Sequence, residues 1–166
     1  MPTRKSANPL EDLFTETLKD IYFAEKQILR ALPKMAKEAT SPELKEAFEK
    51  HRDETENQIE RLNQVFDSMG RPARGKTCEA IIGIIDEAKE VMDEFKGEDA
   101  LDAGLAASAQ TVEHYEIARY GTLKTWAREL GMEDAAKLLD QTLQEEIKTD
   151  KLLSDLAMRN VNKKAA

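Results

Sequence analysis

Apolar residues recur along most of the chain at the three- and four-residue spacing of amphipathic α-helices. The pattern predicts five helices, over about residues 9–39, 42–66, 77–95, 98–130 and 133–158. Two of them begin with a polar capping residue followed by proline, at Asn8-Pro9 and Ser41-Pro42. No segment shows the alternation that is typical of a β-strand. The pattern therefore indicates an all-α fold.

The connections predict how these helices pack. Only two residues separate the first helix from the second, and two separate the fourth segment from the last, so each pair must be antiparallel. A long connection joins the two pairs, and it contains the predicted helix 77–95. We therefore expect a single domain over residues 1–166, a ferritin-like antiparallel four-helix bundle with an extra helix in the long crossover.

Acidic residues interrupt the apolar line of all four long helices near their midpoints. They lie within about one helical turn, ~5 Å, of the same level in the predicted bundle. A histidine lies on the same line of the second long helix. The candidates for the bundle interior are Glu25, His51, Glu54, Glu113, Glu116 and Glu146.

Ionised carboxylates are rarely buried without partners, and burial costs several kcal/mol per ion. Water, bound protons or cations could relieve that cost. Two metal ions would neutralise the set most completely, and an oxygen-rich set with few imidazoles suits iron or manganese better than copper or zinc. The sequence therefore predicts a dinuclear iron centre, with manganese as the alternative. His51 is predicted either as a ligand or as a group that orients a ligand carboxylate.

The position of each carboxylate on its helix predicts whether it bridges the ions or binds one of them. Glu54 and Glu146 are predicted to bridge the ions, because each is central on the second helix of its pair. Glu25 and Glu113 are predicted as terminal ligands, and Glu116 as an additional ligand.

The register of the last long helix stays open at this stage. Glu145 and Asp150 compete with Glu146 for the inward position, since the apolar line can be read one step either way. Tyr22 and Tyr120 are expected to pack in the core, or alternatively to hydrogen-bond a ligand carboxylate.

Composition limits which binding partners and which cellular compartment are expected. Against 25 Lys and Arg the chain has 33 Asp and Glu, a net charge of −8, which argues against nucleic-acid binding. The longest apolar run, residues 80–85, is far too short for a membrane span, and the first residues do not resemble a signal peptide. The single cysteine, Cys78, is expected in the core and suits a reducing compartment. We therefore expect a cytoplasmic protein with no membrane partner.

Two further features concern contacts between helices and between subunits. His114 lies off the main line and is predicted as an interhelical contact. Four isoleucines give the crossover helix more apolar width than one buried face requires, which indicates a homodimer interface. They are Ile81, Ile82, Ile84 and Ile85.

Four segments together resemble the YciE/YciF-type ferritin-like proteins, and the YciF branch in particular. The segments are residues 22–27 (YFAEKQ), 51–59 (HRDETENQI), 113–123 (EHYEIARYGTL) and 145–146 (EE). The resemblance implies a rubrerythrin-like bundle with a fifth helix in the crossover, usually dimeric, in bacterial stress responses. It also implies a suspected dinuclear metal site, and Glu113-x-x-Glu116 is similar to the paired acids of rubrerythrin-like sites.

Two functions follow as hypotheses. The first is a stress-associated oxidoreductase whose metal centre acts on oxygen or peroxide, as in iron oxidation or peroxide removal. The alternative is a non-catalytic, dimeric helical protein whose central acids hold protons and water and no functional metal.

Overall fold

The computed structural model describes residues 7–166. Five main helices and two short terminal ones form in this range, and none of the described residues is in a strand. The main helices are α1 (Pro9–Glu38), α2 (Pro42–Ser68), α3 (Glu79–Glu94), α4 (Leu101–Glu129) and α5 (Glu133–Leu156). A π-helical turn (Ala157–Val161) and the short α6 (Asn162–Ala165) follow. The prediction of an all-helical protein is confirmed.

The starts of α1 and α2 follow the predicted capping chemistry. Asn8 Oδ1 accepts a hydrogen bond from the backbone N–H of Leu10 at 3.0 Å, and Ser41 Oγ accepts one from Leu44 at 3.3 Å. Each cap satisfies a backbone donor that the first helical turn leaves without an intrahelical partner. Gly131, with φ of +72°, makes the reversal between α4 and α5.

The four long helices pack around one apolar core. α1 pairs with α2 and α4 with α5, while α2 also packs on α5 and α1 on α4. Fully buried side chains such as Phe14, Leu18, Phe48 and Leu105 fill the space between them. Polar side chains in the middle of these helices therefore lie in an interior that is otherwise apolar.

Helix α3 lies across α1 and α4. The loop before it is tied to α1 by a backbone hydrogen bond from Lys76 N–H to the carbonyl of Lys19, at 3.1 Å. Gly104 lets α3 approach α4 closely, because a Cβ there would lie 2.5 Å from Val91 Cγ1. The crossover helix thus forms one wall of the space beside α1 and α4.

One buried carboxylate from α4 fixes the turn between α1 and α2. Asp102 accepts hydrogen bonds from the backbone N–H groups of Thr40 and Ser41, at 2.8 and 2.7 Å, and from Thr40 Oγ1 at 2.6 Å. These bonds join the first helical pair to the second at one end of the molecule.

Across residues 7–166, no helix combines the length and the apolar character that crossing a bilayer requires.

Candidate metal centre

Four buried side chains from three helices converge in the middle of the core. His51 comes from α2, Glu113 and Glu116 from α4, and Glu146 from α5. Each is at most 2% exposed, and one potential ligand atom from each lies within 4.8 Å of those of the others. The three-residue spacing on α4 places both of its glutamates on one helix face.

The imidazole of His51 lies among the three carboxylates. Its Nδ1 is 2.9 Å from Glu113 Oε1, and its Nε2 is 3.4 Å from Glu146 Oε2 and 3.8 Å from Glu116 Oε2. These atoms are close, yet they are not arranged as hydrogen bonds. Within residues 7–166, His51 Nε2, both oxygens of Glu113 and of Glu116, and Glu146 Oε2 have no hydrogen-bond partner.

Glu25 of α1 lies next to this cluster and is fully buried. Its Oε1 accepts a short hydrogen bond from the hydroxyl of Tyr120, while its Oε2 has no hydrogen-bond partner in the described part of the chain. Tyr120 is itself fully buried, and its pKa is raised well above the ordinary value by burial and then by the charge of Glu25. The phenol therefore stays protonated and holds the orientation of Glu25.

Burial raises the pKa of three of the core carboxyls. The pKa of Glu25 rises to about 8 because of burial first and the nearby charge of Glu146 second. For Glu113 and Glu116, burial likewise raises the pKa well above the ordinary value. The charges of Glu146, Glu25 and Glu113 raise the pKa of Glu116 further. Without a cation, the interior therefore favours protonated forms of these groups.

For His51 and Glu146, contacts with neighbouring residues outweigh burial, and the pKa shifts favour the charged forms. Burial would lower the pKa of His51, but the charge of Glu113 and the contacts with Glu113 and Glu146 raise it well above the ordinary value. Burial would raise the pKa of Glu146, but its contacts with His51 and Glu113 lower it to about 2. In the absence of a metal, the core therefore favours an imidazolium beside the Glu146 carboxylate.

The structure resolves the register of α5. Glu146 is fully buried in the cluster, whereas Glu145 points to the edge, where Arg61 donates two hydrogen bonds of 2.7 Å to it. Asp150, half-buried, accepts a hydrogen bond from Gln110 at 3.2 Å and lies 3.1 Å from His114 Nε2. His114 thus makes the contact between α4 and α5 that the sequence predicts.

Of the six candidates, Glu25 and Glu54 lie outside the four-residue cluster, and Glu54 is the one that is not fully buried. Its side chain is 22% exposed and lies 3.5 Å from Lys50 Nζ, and Thr149 Oγ1 donates to it at 3.5 Å. The inward line of α2 runs instead through His51, Thr55 and Gln58, all of them buried. Glu54 follows His51 by three residues and falls on the adjoining edge. Its role as a bridging ligand stays a prediction.

Gln58 is the core residue that the sequence interpretation did not place in the site. Fully buried on α2, it donates from Nε2 to Glu146 Oε1 in a short hydrogen bond and to Glu145 Oε2 at 3.0 Å. Its amide therefore orients the central carboxylate of α5. The available signal was a polar amide on the apolar line two turns after His51.

Cys78 and Tyr22 lie outside the cluster. Cys78 is buried, with its sulfur 3.1 Å from the hydroxyl of Tyr115, in accordance with the expected core position. Tyr22 packs edge-on against Phe66, with ring centroids 5.5 Å apart. Of the two tyrosines considered as partners of a ligand carboxylate, the structure therefore shows Tyr120 in that contact.

The residues present fit a bound metal ion. Most of the unpartnered buried polar atoms belong to Glu25, His51, Glu113, Glu116 and Glu146, and buried polar atoms without partners are uncommon in folded proteins. One imidazole and several carboxylates form an oxygen-rich donor set of the kind that hard and borderline divalent ions prefer. The four side chains of the cluster, together with the adjacent Glu25, could therefore hold cations.

The fold and this cluster define an all-helical protein with buried carboxylates and a histidine at its centre. Residues 9–166 match the model of a family described as a domain of unknown function (DUF892), and the chain belongs to that family.

The relatives agree with this assignment. The chain is 50% identical to protein YciF of Escherichia coli (strain K12) over 157 residues, which cover 94% of this chain and 95% of YciF. The crystal structure of the E. coli stress protein YciF matches with a TM-score of 0.89 at 48% identity, over 94% of this chain and 99% of that one. YcfI from Rhodopseudomonas palustris, described as a candidate structural protein, matches with a TM-score of 0.87 at 47% identity, over 90% and 96%. The predicted resemblance to the YciE/YciF proteins is confirmed.

Proposed function

We propose that this chain is a stress-associated, ferritin-like four-helix bundle protein that holds a dinuclear iron or manganese centre and acts on oxygen or peroxide. The observation that supports this function most directly is the set of buried, unpartnered carboxylate and imidazole atoms at the middle of the bundle. Without cations, such a set must hold protons at a cost in solvation free energy. The similarity to a stress protein supports the physiological setting.

The ligands divide into two positions. His51, Glu113, Glu116 and Glu146 would hold one ion, because potential ligand atoms of all four lie within 4.8 Å of one another. Glu25 would hold the second ion together with Glu116 and Glu146. The three groups are close enough that the charge of Glu146 raises the pKa of Glu25, and the charge of Glu25 raises the pKa of Glu116. In this arrangement Glu116 and Glu146 would contribute to both positions.

When bound, a redox-active metal pair of this kind supplies electrons to oxygen or peroxide. The residues of the chain prepare the site for that chemistry. Tyr120 holds one oxygen of Glu25 and leaves the other free, and Gln58 does the same for Glu146. Arg61 binds Glu145 at the edge, so that this neighbouring carboxylate is kept out of the centre. Burial of the whole set excludes bulk water from the reacting atoms.

Metal analysis tests the proposal. Protein purified from iron- or manganese-supplemented cells is expected to contain about two ions per chain, as in di-metal bundles. Glu116→Ala and Glu146→Ala should each lose most of this metal. Glu145→Gln is the matched control, because it changes the adjacent glutamate that binds Arg61, and it should retain the metal. Equal metal content in all of these proteins would contradict the assignment.

Activity needs a separate measurement. With Fe(II) supplied as the electron donor, the fully metallated protein is expected to reduce oxygen or hydrogen peroxide and to oxidise Fe(II) with turnover, and Glu146→Ala should not. A metallated sample without either turnover would exclude the oxidoreductase while leaving the metal site in place.

A non-catalytic function is the second candidate. The contacts that favour it are those that stabilise the core without metal, namely Tyr120 with Glu25, Gln58 with Glu146, and His51 among three acids. Under this function, replacing the buried, unpartnered carboxyl group by an apolar side chain in Glu116→Leu should stabilise the fold. Absence of metal from the purified protein, together with that gain in stability, would favour it over the metal centre.

We also propose the homodimer that the sequence predicts. Large apolar side chains remain exposed on several helices, among them Leu13, Ile147 and Leu152. Light scattering at micromolar concentration is expected to give twice the mass of the chain, and a monomer mass would contradict the dimer.

A further inference from the structure

A cavity of about 170 Å³ opens between α1, α3 and α4. Most of its wall is apolar; α1, α3 and α4 supply nearly all of it, and α2 contributes His51. The principal apolar lining residues are Ile28, Leu32, Met35, Ile85, Met92 and Val112. Its size is comparable to the cavity of about 150 Å³ that binds benzene in an engineered protein core. A molecule with a ring-sized apolar body therefore fits the space.

The inner end of this cavity reaches the carboxylate cluster. His51 and Glu113 are among its lining residues, although both are at most 2% exposed. Their atoms His51 Nε2, Glu113 Oε1 and Glu113 Oε2 have no hydrogen-bond partner within the described residues. The cavity thus runs from the surface to two side chains whose polar atoms are themselves buried and lack partners.

The outer end is cationic. Arg30, Lys34 and Lys89 line the cavity and are exposed, in a chain with a net charge of −8. Lys89 pairs with Asp86 at 2.7 Å, whereas Arg30 and Lys34 form no ion pair in the described part of the chain. Lys34 and Lys89 also line an adjoining hollow.

This hollow adds charge of both signs beside the mouth. It contains Lys37 and Lys96, but also the acidic side chains of Glu38 and Asp93. Counting all the side chains named around the mouth and the hollow, the cations outnumber the anions. An anionic group at the mouth would therefore gain attraction from unpaired cations.

We propose that this cavity binds a small organic carboxylate with an apolar body, its carboxylate at the Arg30–Lys34 mouth and its apolar body against Ile28, Leu32 and Val112. The further step, in which the bound molecule is a substrate of the metal centre, rests on the proposed function. Binding itself requires only the apolar cavity and its cationic mouth.

Calorimetric titration of the metal-free protein with benzoate and with its neutral isostere benzamide tests the site. Benzoate is expected to bind about tenfold more tightly than benzamide, because the two unpaired cations at the mouth attract its charge; tenfold corresponds to about 1.4 kcal/mol. Arg30→Gln/Lys34→Gln should remove this preference. The matched control Lys148→Gln/Lys151→Gln removes two exposed lysines of α5 and should leave it unchanged. Ala31→Leu, which places a larger side chain on the cavity wall, should weaken both ligands.

Three results would overturn the inference: equal affinity for benzoate and benzamide, affinity that Arg30→Gln/Lys34→Gln leaves unchanged, or no binding by the folded wild-type protein. The two mouth positions are exposed, so that this variant tests the proposal even if Ala31→Leu does not fold. Metal content measured on the same preparations separates the two proposals. Benzoate binding by a protein that never takes up metal would uphold the cavity site and contradict the metal centre.

Discussion

His51 Nε2 lies 3.4 Å from Glu146 Oε2 in the buried core, and neither atom has a hydrogen-bond partner within residues 7–166. The two side chains come from α2 and α5, which belong to different helical pairs. Two donors that bind one ion at about 2.1 Å and at right angles are about 3 Å apart. The separation is therefore compatible with two atoms that face a common ion.

Because these ligands come from both helical pairs, metal binding should stabilise the whole fold. Adding Mn(II) to the metal-free protein is expected to raise Tm, by an amount equivalent to about 2.7 kcal/mol at a free metal concentration of a hundred times Kd. His51→Ala should abolish most of the increase. His114→Ala, which removes the exposed histidine beside Asp150, should retain it. An equal response from both variants would contradict the assignment of His51 as a ligand.

The stability of the metal-free protein should fall as pH rises from about 4.5 to 8. Over this range the folded state binds more protons than the unfolded state, because the pKa of Glu25 is raised to about 8 and those of Glu113 and Glu116 are raised as well. The raised pKa of His51 acts in the same direction. Glu146, with its pKa lowered to about 2, loses its contribution only below pH 4.5. Urea unfolding across this range should therefore show a steadily decreasing midpoint.

Glu116→Gln isolates the contribution of one carboxyl to that slope. The amide cannot ionise, so the variant should lose less stability between pH 5 and 8 than the wild type does. Its midpoint at pH 8 should be at least as high as that of the wild type. A wild-type midpoint that rises over this range would contradict the prediction, because it would show that the folded state binds fewer protons than the unfolded state.

The helices could be predicted from the sequence because their apolar periodicity is long and their start signals are local. Asn8 and Ser41 act through hydrogen bonds to residues two and three positions further on, which a sequence displays directly. The buried acids at the middle of α1, α4 and α5 could be identified for the same reason, since they interrupt otherwise apolar lines.

The rotation of α2 could not be predicted to within one residue. Glu54 and Thr55 are neighbours, and both are compatible with a helical line that contains His51, but only Thr55 is fully buried. Which of the two points inward depends on how α2 packs against α1 and α5, a tertiary effect that local spacing does not contain. Gln58 was missed for a related reason, because its partner Glu146 lies 88 residues away in the chain.

Asp102 should contribute strongly to stability although it is remote from the metal centre. Asp102→Ala would leave the backbone donors of Thr40 and Ser41 without their acceptor, which predicts a loss of about 2–4 kcal/mol in the free energy of unfolding. Asp99→Ala is the control, because Asp99 is exposed and lies 3.6 Å from Lys164, a surface pair worth about 1 kcal/mol or less. Chemical unfolding of both variants measures the difference, and similar losses would contradict the role of Asp102.

The contributions of Glu25 and Glu54 to the metal centre can be separated by stoichiometry. Glu25 is fully buried next to the cluster with one free oxygen, whereas Glu54 is partly exposed and contacts Lys50 and Thr149. Glu25→Gln is therefore expected to lower the metal content from about two ions per chain to about one, and Glu54→Gln should lower it much less. Both variants replace a carboxyl group by an amide of nearly the same volume, so steric differences contribute little to the comparison. A larger loss in Glu54→Gln would show that this side chain turns inward when metal binds, and would restore the bridging role that its position on α2 predicts.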